Sequence, residues 1–450
     1  MRAQFLFYYI ILFVMIAASP LKSAAQQGKE LGLQEAVQLA KQNNRTLKAN
    51  ALDISIAREQ VRVAKSLSLP AAQLGAQYLH YFALPAFFGF GETGSSSKVP
   101  YGRFGGRDQF SGAISASYPI YNPIAAPTRR AALLQEKVSQ ESYRQSTINV
   151  AADVQQTYLG ILVLAERLKL QQESLLRNEK ALADARSLLA QGRGLRVDTL
   201  RAYTAVENLK PDMLKLNYVI EVGKQQLITL MGLDSLTQIN LTDSLVAHAP
   251  IAIPSENELY EQALRQRPDL QALVLQQQVS EQQTALAKAA RLPSVSAVGQ
   301  YQIQTQARKF DFVNANWPST SFAGAQVVLP LFTGFSNQAK IRQAAFANTQ
   351  AGIRIKEAQQ ALKTIVKQVI ANLKETHDRM QTQLNVKETA LTGYDIVQYR
   401  YAKGVTSRLD LTDAELALTA AQLNYLEAVF DYRSAEIELA RTSGTEGFIK

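Results

Sequence analysis

Asp410 and Asp413 stand three residues apart in Ser407-Arg408-Leu409-Asp410-Leu411-Thr412-Asp413-Ala414. At that spacing they share one face of a helix. Two carboxylates so placed attract cations, or simply favour the positive end of a helix start. Carboxylate pairs also perform acid–base catalysis, but no histidine, lysine or nucleophile stands beside these two in a catalytic pattern, so an enzyme is a weak reading. His80, His248 and His377 lie far apart and share no ligand spacing. The absence of cysteine removes disulfides, thiol catalysis, thiolate metal sites and lipidation at an N-terminal cysteine. Neither metal nor cofactor is expected. The net charge is +10, yet lysines and arginines are spread singly among Gln, Ala and Glu, so nucleic acid is not an expected partner.

The carboxylates belong to a motif that occurs twice. Ala402-Lys-Gly404-Val-Thr-Ser-Arg408-Leu-Asp410 echoes Ala190-Gln-Gly192-Arg-Gly-Leu-Arg196-Val-Asp198. Two further echoes keep the same order: Leu69-Pro70 with Leu292-Pro293, and Tyr118-Pro119-Ile120 with Leu329-Pro330-Leu331. A tandem duplication follows, with a period far too long for a solenoid. The expected organisation is a first repeat over 26–232, a connector over 233–254 containing Pro250 and Pro254, and a second repeat over 255–450.

The elements that position these motifs alternate between two periods. Apolar residues at helical spacing (Ala36, Val37, Ala40; Ile54, Ala57, Val61, Ala64) predict two helices separated near Asn43-Asn44, the second stopped by Leu69-Pro70. Long proline-poor stretches predict helical hairpins over 128–231 and 335–443. Some 65 residues of helix would reach ~100 Å and need partners along their length. Ala414, Ala421, Ala428 and Ala435 repeat every seven residues, as do Leu411, Leu418, Tyr425, Tyr432 and Leu439, which is coiled-coil packing. The matching row in the first repeat is Val206, Met213, Ile220 and Leu227, interrupted by Pro211, where a kink is expected. Gly192 and Gly404, each between two long helices, are the predicted hairpin tips.

Between the helices the period drops to two. Val295, Ala297, Gly299, Tyr301 and Ile303 alternate with Ser296, Val298, Gln300, Gln302, Gln304 and Gln306. Phe110, Gly112, Ile114, Ala116, Tyr118 and Ile120 alternate with Ser111, Ala113, Ser115 and Ser117. Strands are predicted at about 71–81, 110–121, 294–306 and 320–332, with loops over 82–108 and 308–318. Trp317 and nearby aromatics either form an interfacial belt or pack the loop. A membrane β-barrel with a wet lumen alternates in this way; so does a soluble sandwich. The compartment bears on the choice. Arg2, an apolar run of 14 residues over 5–18, and Ser23-Ala24-Ala25 make 1–25 a secretory signal peptide, too short for a membrane-spanning helix. The mature protein is expected to be exported and to lack a transmembrane helix, which excludes an inner-membrane pump. A closed membrane barrel needs at least eight strands. Four per chain therefore require a barrel shared by two or more copies.

The order helix–helix–strand–strand–long helix–long helix, twice over, with Leu-Pro strand entries, Pro119 and Pro330 at strand exits and two Gly-x-x-x-Arg-x-Asp hairpins, resembles the TolC family of outer-membrane channel proteins over about residues 29–444. The resemblance implies a mixed fold of α and membrane β. Three tandem-duplicated protomers would form a 12-stranded outer-membrane barrel, continued by a long periplasmic α-helical barrel with coiled-coil tips. It implies no catalysis and a place in the cell outer membrane, reaching into the periplasm in contact with outer-membrane lipid. It also implies a homotrimer receiving substrates from an inner-membrane transporter through a periplasmic adaptor protein. An RND-type pump exporting small molecules is the first expectation, an ABC transporter of type I secretion the second. A periplasmic adaptor itself is disfavoured, since it would carry one hairpin and no barrel strands. By matching position, Asp410 and Asp413 inherit the periplasmic aperture. There, threefold repetition would crowd six carboxylates and raise their pKa values by repulsion. Tyr401 and Asp198 inherit a gate latch, and Gly192 and Gly404 the adaptor-docking tips. The family's tip arginine is replaced by Thr406; Arg193, Arg196, Lys403 and Arg408 are nearby substitutes.

Overall fold

Where the apolar period is helical the chain is helical, and where it is two the chain is extended. The computed structural model describes residues 29–88, 101–245, 251–308, 310 and 315–447. The expected signal peptide at 1–25, His248, Pro250 and parts of the two expected loops lie outside them. In chain order the helices are α1 (Leu33–Asn43), α2 (Arg45–Ser66), α3 (Ala125–Ala190), α4 (Arg196–Leu230), α5 (Glu256–Gln266), α6 (Pro268–Ala289), α7 (Ser336–Ala402) and α8 (Arg408–Ser443). The strands are β1 (Lys29–Leu31), β2 (Ala71–His80), β3 (Ala86–Phe88), β4 (Tyr101–Arg103), β5 (Asp108–Tyr121), β6 (Ile239–Leu241), β7 (Ser294–Ala307) and β8 (Ser319–Val328). Two compact units form, one from 50–143 and 268–361, the other from residues up to 49, 144–267 and from 362 onward. Each draws on both sequence repeats.

The first unit holds a four-stranded antiparallel sheet in the order β2-β5-β7-β8. Its register gathers the alternating residues into two faces. Leu74, Ile114 and Tyr301 lie side by side, as do Ala72, Ala116 and Gly299, then Tyr118 and Ala297. The opposite face aligns Gln73, Ser115 and Gln300, and Gln77, Ser111 and Gln304. On that face Gln300 donates to Gln302 and Gln302 to Gln304, at 2.8 and 3.3 Å. Pro119, which lacks an N–H, sits at a bulge where the β5–β7 register shifts. The edge strands β2 and β8 are exposed along their whole lengths.

Several expected bounds need correction. The fourth strand ends at Val328, not near 332, because its partner β7 begins at Ser294, directly after Pro293, and Pro330 offers no donor. The expected loop 82–108 contains the short hairpin β3–β4, with Phe88 and Tyr101 rings 5.9 Å apart. The count of four strands therefore covers the sheet but not β1, β3, β4 and β6. Trp317 packs edge-on against Phe110 at 5.3 Å.

In the second unit the heptad rows are the core. Leu411, Leu418, Ala421, Ala428, Tyr432 and Ala435 are buried. Near the tip Tyr394 packs with Leu411 and Leu418. Farther along, Leu373 and Met380 meet Ala428 and Tyr432, so α7 and α8 run antiparallel. Leu182 meets Ala202 and Val206 between α3 and α4. The helix α4 continues unbroken through Pro211. One 18-residue window of α3 is long and apolar enough to cross a membrane by length and composition alone. Half of it is buried inside the protein.

The expected connector contains the strand β6, which pairs in parallel with β1. Gly32, before α1, has no side chain to cap that helix. Asp243 from the connector accepts instead from Leu33 N at 2.8 Å, and the buried Tyr158 hydroxyl lies 2.9 Å from both Asp243 Oδ2 and Leu31 O. Between α1 and α2, buried Asn44 donates to Leu230 O at 2.7 Å and accepts from Leu47 N at 3.1 Å. Asn44→Ala removes a helix cap and orphans a carbonyl at the end of α4. The expected destabilisation is about 1–3 kcal/mol, read as a lowered denaturant midpoint.

Candidate gate at the hairpin tips

All six residues expected at the site lie in the second unit. The two tips close identically. Gly192 has φ +70° and Gly404 φ +72°, the left-handed region that glycine adopts without strain. Gly192 N donates to Leu189 O and Arg193 N to Leu188 O; Gly404 N donates to Tyr401 O and Val405 N to Arg400 O. Both are Schellman closures of a long helix.

The helices that restart after the tips differ. In α8, Ser407 Oγ accepts from Asp410 N at 3.2 Å while Asp410 Oδ2 accepts from Ser407 N at 3.0 Å, a complete capping box. The same Asp410 oxygen accepts from Ser407 Oγ at 2.7 Å and Thr406 Oγ1 at 2.8 Å. Hydrogen bonds from Ser407, then Thr406, hold the Asp410 carboxyl below its usual range. Within the chain this opposes the rise expected from a carboxylate ring. It also gives Thr406, where the resemblance implied an arginine, a structural task. Asp413 is exposed.

In α4 the capping position is Leu195, which has no side-chain acceptor. Asp198, the counterpart of Asp410, is half-buried, and its carboxylate makes no hydrogen bond or ion pair among the described residues. Of the two matching motifs, one thus commits its aspartate to a cap and the other does not. Tyr401 packs beside Tyr394, Leu411 and Leu418, with the Arg408 guanidinium 5.8 Å from its ring centre. No hydrogen bond joins Tyr401 to Asp198 within one chain. Lys403 lies over Tyr399 at 5.5 Å.

Sequence reasoning missed the polar groups above the tips. A cavity of about 410 Å³ opens between α3, α7 and α8, lined by Arg177, Tyr394, Tyr401, Arg408 and Glu415 among others. Glu415 is 6% exposed, and burial pushes its carboxyl up against the opposing pull of Arg408 and Arg177. Burial likewise raises the Tyr394 phenol. The available signal was a charged residue at 415, four after Leu411 and three before Leu418, hence on the flank of the buried row.

The described residues thus hold a two-faced, open-edged sheet and two long helical hairpins. The family described as outer membrane efflux protein matches residues 36–233 and 259–445, and the chain belongs to it. The toluene efflux pump outer membrane protein TtgC of Pseudomonas putida is 23% identical over 453 aligned residues, covering 95% of this chain and 88% of TtgC. The CmeC outer membrane channel of Campylobacter jejuni is similar in fold, with a TM-score of 0.74 at 18% identity over 92% of this chain and 85% of CmeC. The open state of the Neisseria gonorrhoeae MtrE outer membrane channel has a TM-score of 0.70 at 20% identity, over 92% and 89%. This protein is accordingly a transport conduit of the outer membrane.

Proposed function

We propose that three copies of this chain form one exit duct of a tripartite efflux system, twelve strands making the barrel and the long hairpins a gated tunnel. The observation that carries this reading is the sheet. It has one apolar and one polar face, and its edges β2 and β8 are unpaired. An open edge cannot face lipid, so β8 of one copy pairs with β2 of the next until the barrel closes. The apolar face then meets outer-membrane lipid and the glutamine ladder lines the water-filled lumen.

The tips form the periplasmic end. Gly192 and Gly404 present them to a periplasmic adaptor, through which an inner-membrane RND-type pump delivers small molecules. The conduit performs no catalysis. Asp413, with the remaining oxygen of Asp410, lines the aperture and attracts cations. Asp198, uncommitted within its own chain, accepts from Tyr401 where hairpins pack side by side in the trimer, and this bond holds the resting tip shut. The efflux-pump name carried by the relative TtgC favours small-molecule export over protein secretion.

Cysteine substitution tests the face assignment, and the native chain has no cysteine to confuse it. Cysteines at Gln300, Gln302 and Gln304 are expected to react with a membrane-impermeant thiol reagent in reconstituted protein. Those at Val295, Ala297 and Ile303 are expected to be protected. Equal labelling of the two sets removes the barrel reading.

A further inference from the structure

Where α3 meets α8, polar groups are buried that the proposed latch does not use. Arg177 Nη2 donates to Thr419 Oγ1 at 3.5 Å, the long limit of a hydrogen bond, and Thr419 Oγ1 donates to the Glu415 carbonyl at 2.9 Å. The Arg177 guanidinium also lies 6.0 Å from the Tyr394 ring centre on α7. Its Nε is buried without a partner. So is Oε2 of Glu415, one turn nearer the tip on α8 and lining the same cavity. Gln171 on α3 and Gln422 on α8 each bury a carbonyl oxygen that is likewise unpartnered.

A guanidinium with one long bond, a carboxylate oxygen with none and two orphaned amide oxygens leave this interface under-satisfied in the arrangement seen. Glu415 and Thr419 are four residues apart, about 6 Å along the helix. One packed element can ratchet past another by a full helical turn, about 5.4 Å, because packed interfaces are bistable and not continuously deformable. We propose that Arg177 has two alternative partners on α8, Thr419 in the arrangement seen and Glu415 after a one-turn displacement of the first hairpin toward the tip. This exchange is a second element of the gate, set above the latch. The planar fork of Arg177 suits two parallel bonds to the Glu415 carboxylate, satisfying both orphaned groups together.

The exchange rests on the channel reading and is tested on the assembled protein in planar bilayers. Thr419→Val removes the partner of the present arrangement, and Glu415→Gln removes the charge of the alternative one. The expected result is that the two substitutions shift open probability in opposite directions, each by roughly fivefold or more. Neither shift should survive in an Arg177→Gln background. Shifts in the same direction, or shifts that persist without Arg177, overturn the exchange while leaving the channel intact. Should Arg177→Gln fail to assemble, Arg177→Lys keeps the charge without the fork, and an undiminished Glu415→Gln effect there overturns the exchange equally. A wild-type protein that opens no channel sinks the channel reading, and the exchange with it.

Discussion

Ile114→Arg keeps this protein out of the outer membrane, and Ser115→Arg does not. Ile114 stands near the middle of β5, on the apolar row shared with Leu74 and Tyr301. A charge at the bilayer midplane of a membrane strand costs ~2–4 kcal/mol, and a closed trimer pays it three times. Ser115 is the adjacent residue on the opposite face, beside Gln73 and Gln300, where a guanidinium stays in water. The measurement is the amount of heat-resistant, membrane-extracted protein in outer-membrane fractions. Near-complete loss is expected for Ile114→Arg and near-native amounts for Ser115→Arg. The reverse order would mean that the sheet faces are assigned the wrong way round.

The second large effect concerns the gate. A phenol-to-carboxylate hydrogen bond is charge-assisted, worth ~1.5–3 kcal/mol where water is partly excluded. Losing it shifts a closed-to-open equilibrium about tenfold or more per protomer. Tyr401→Phe with Asp198→Ala is therefore expected to raise single-channel conductance in planar bilayers. Asp410→Ala with Asp413→Ala is expected mainly to weaken block by multivalent cations. Because Asp410 also builds the capping box of α8, Asp413→Ala alone isolates the charge effect from fraying of that helix start. Unchanged conductance and unchanged block in both double variants contradict the gate assignments without touching the fold.

Much of the architecture is legible because it is periodic. Heptad rows, alternating strands and Leu-Pro strand entries each reflect a repeated burial requirement, so the long helices and the four sheet strands can be read with bounds close to those observed. What escapes reading is short or non-local. The three-residue strands β1 and β6 have no period to display, and their pairing spans some 210 positions in sequence. Asp243 caps a helix far away in the chain, which no local pattern announces. At the tips, the duplicated Gly-x-x-x-Arg-x-Asp motif marks both turns correctly. It conceals that Leu195 in one copy stands where Ser407 stands in the other, the difference that frees Asp198 and commits Asp410. Arg177 and Glu415 read as ordinary helix-face charges until tertiary packing buries Glu415 and brings both to one cavity.

The shared barrel is the central claim, and the mass of the detergent-solubilised protein tests it most directly. Native mass spectrometry of the folded, purified protein is expected to give three times the mass of one mature chain, since unpaired β2 and β8 edges leave no stable membrane-embedded monomer. A monodisperse, folded monomer that remains stable in detergent would contradict the claim.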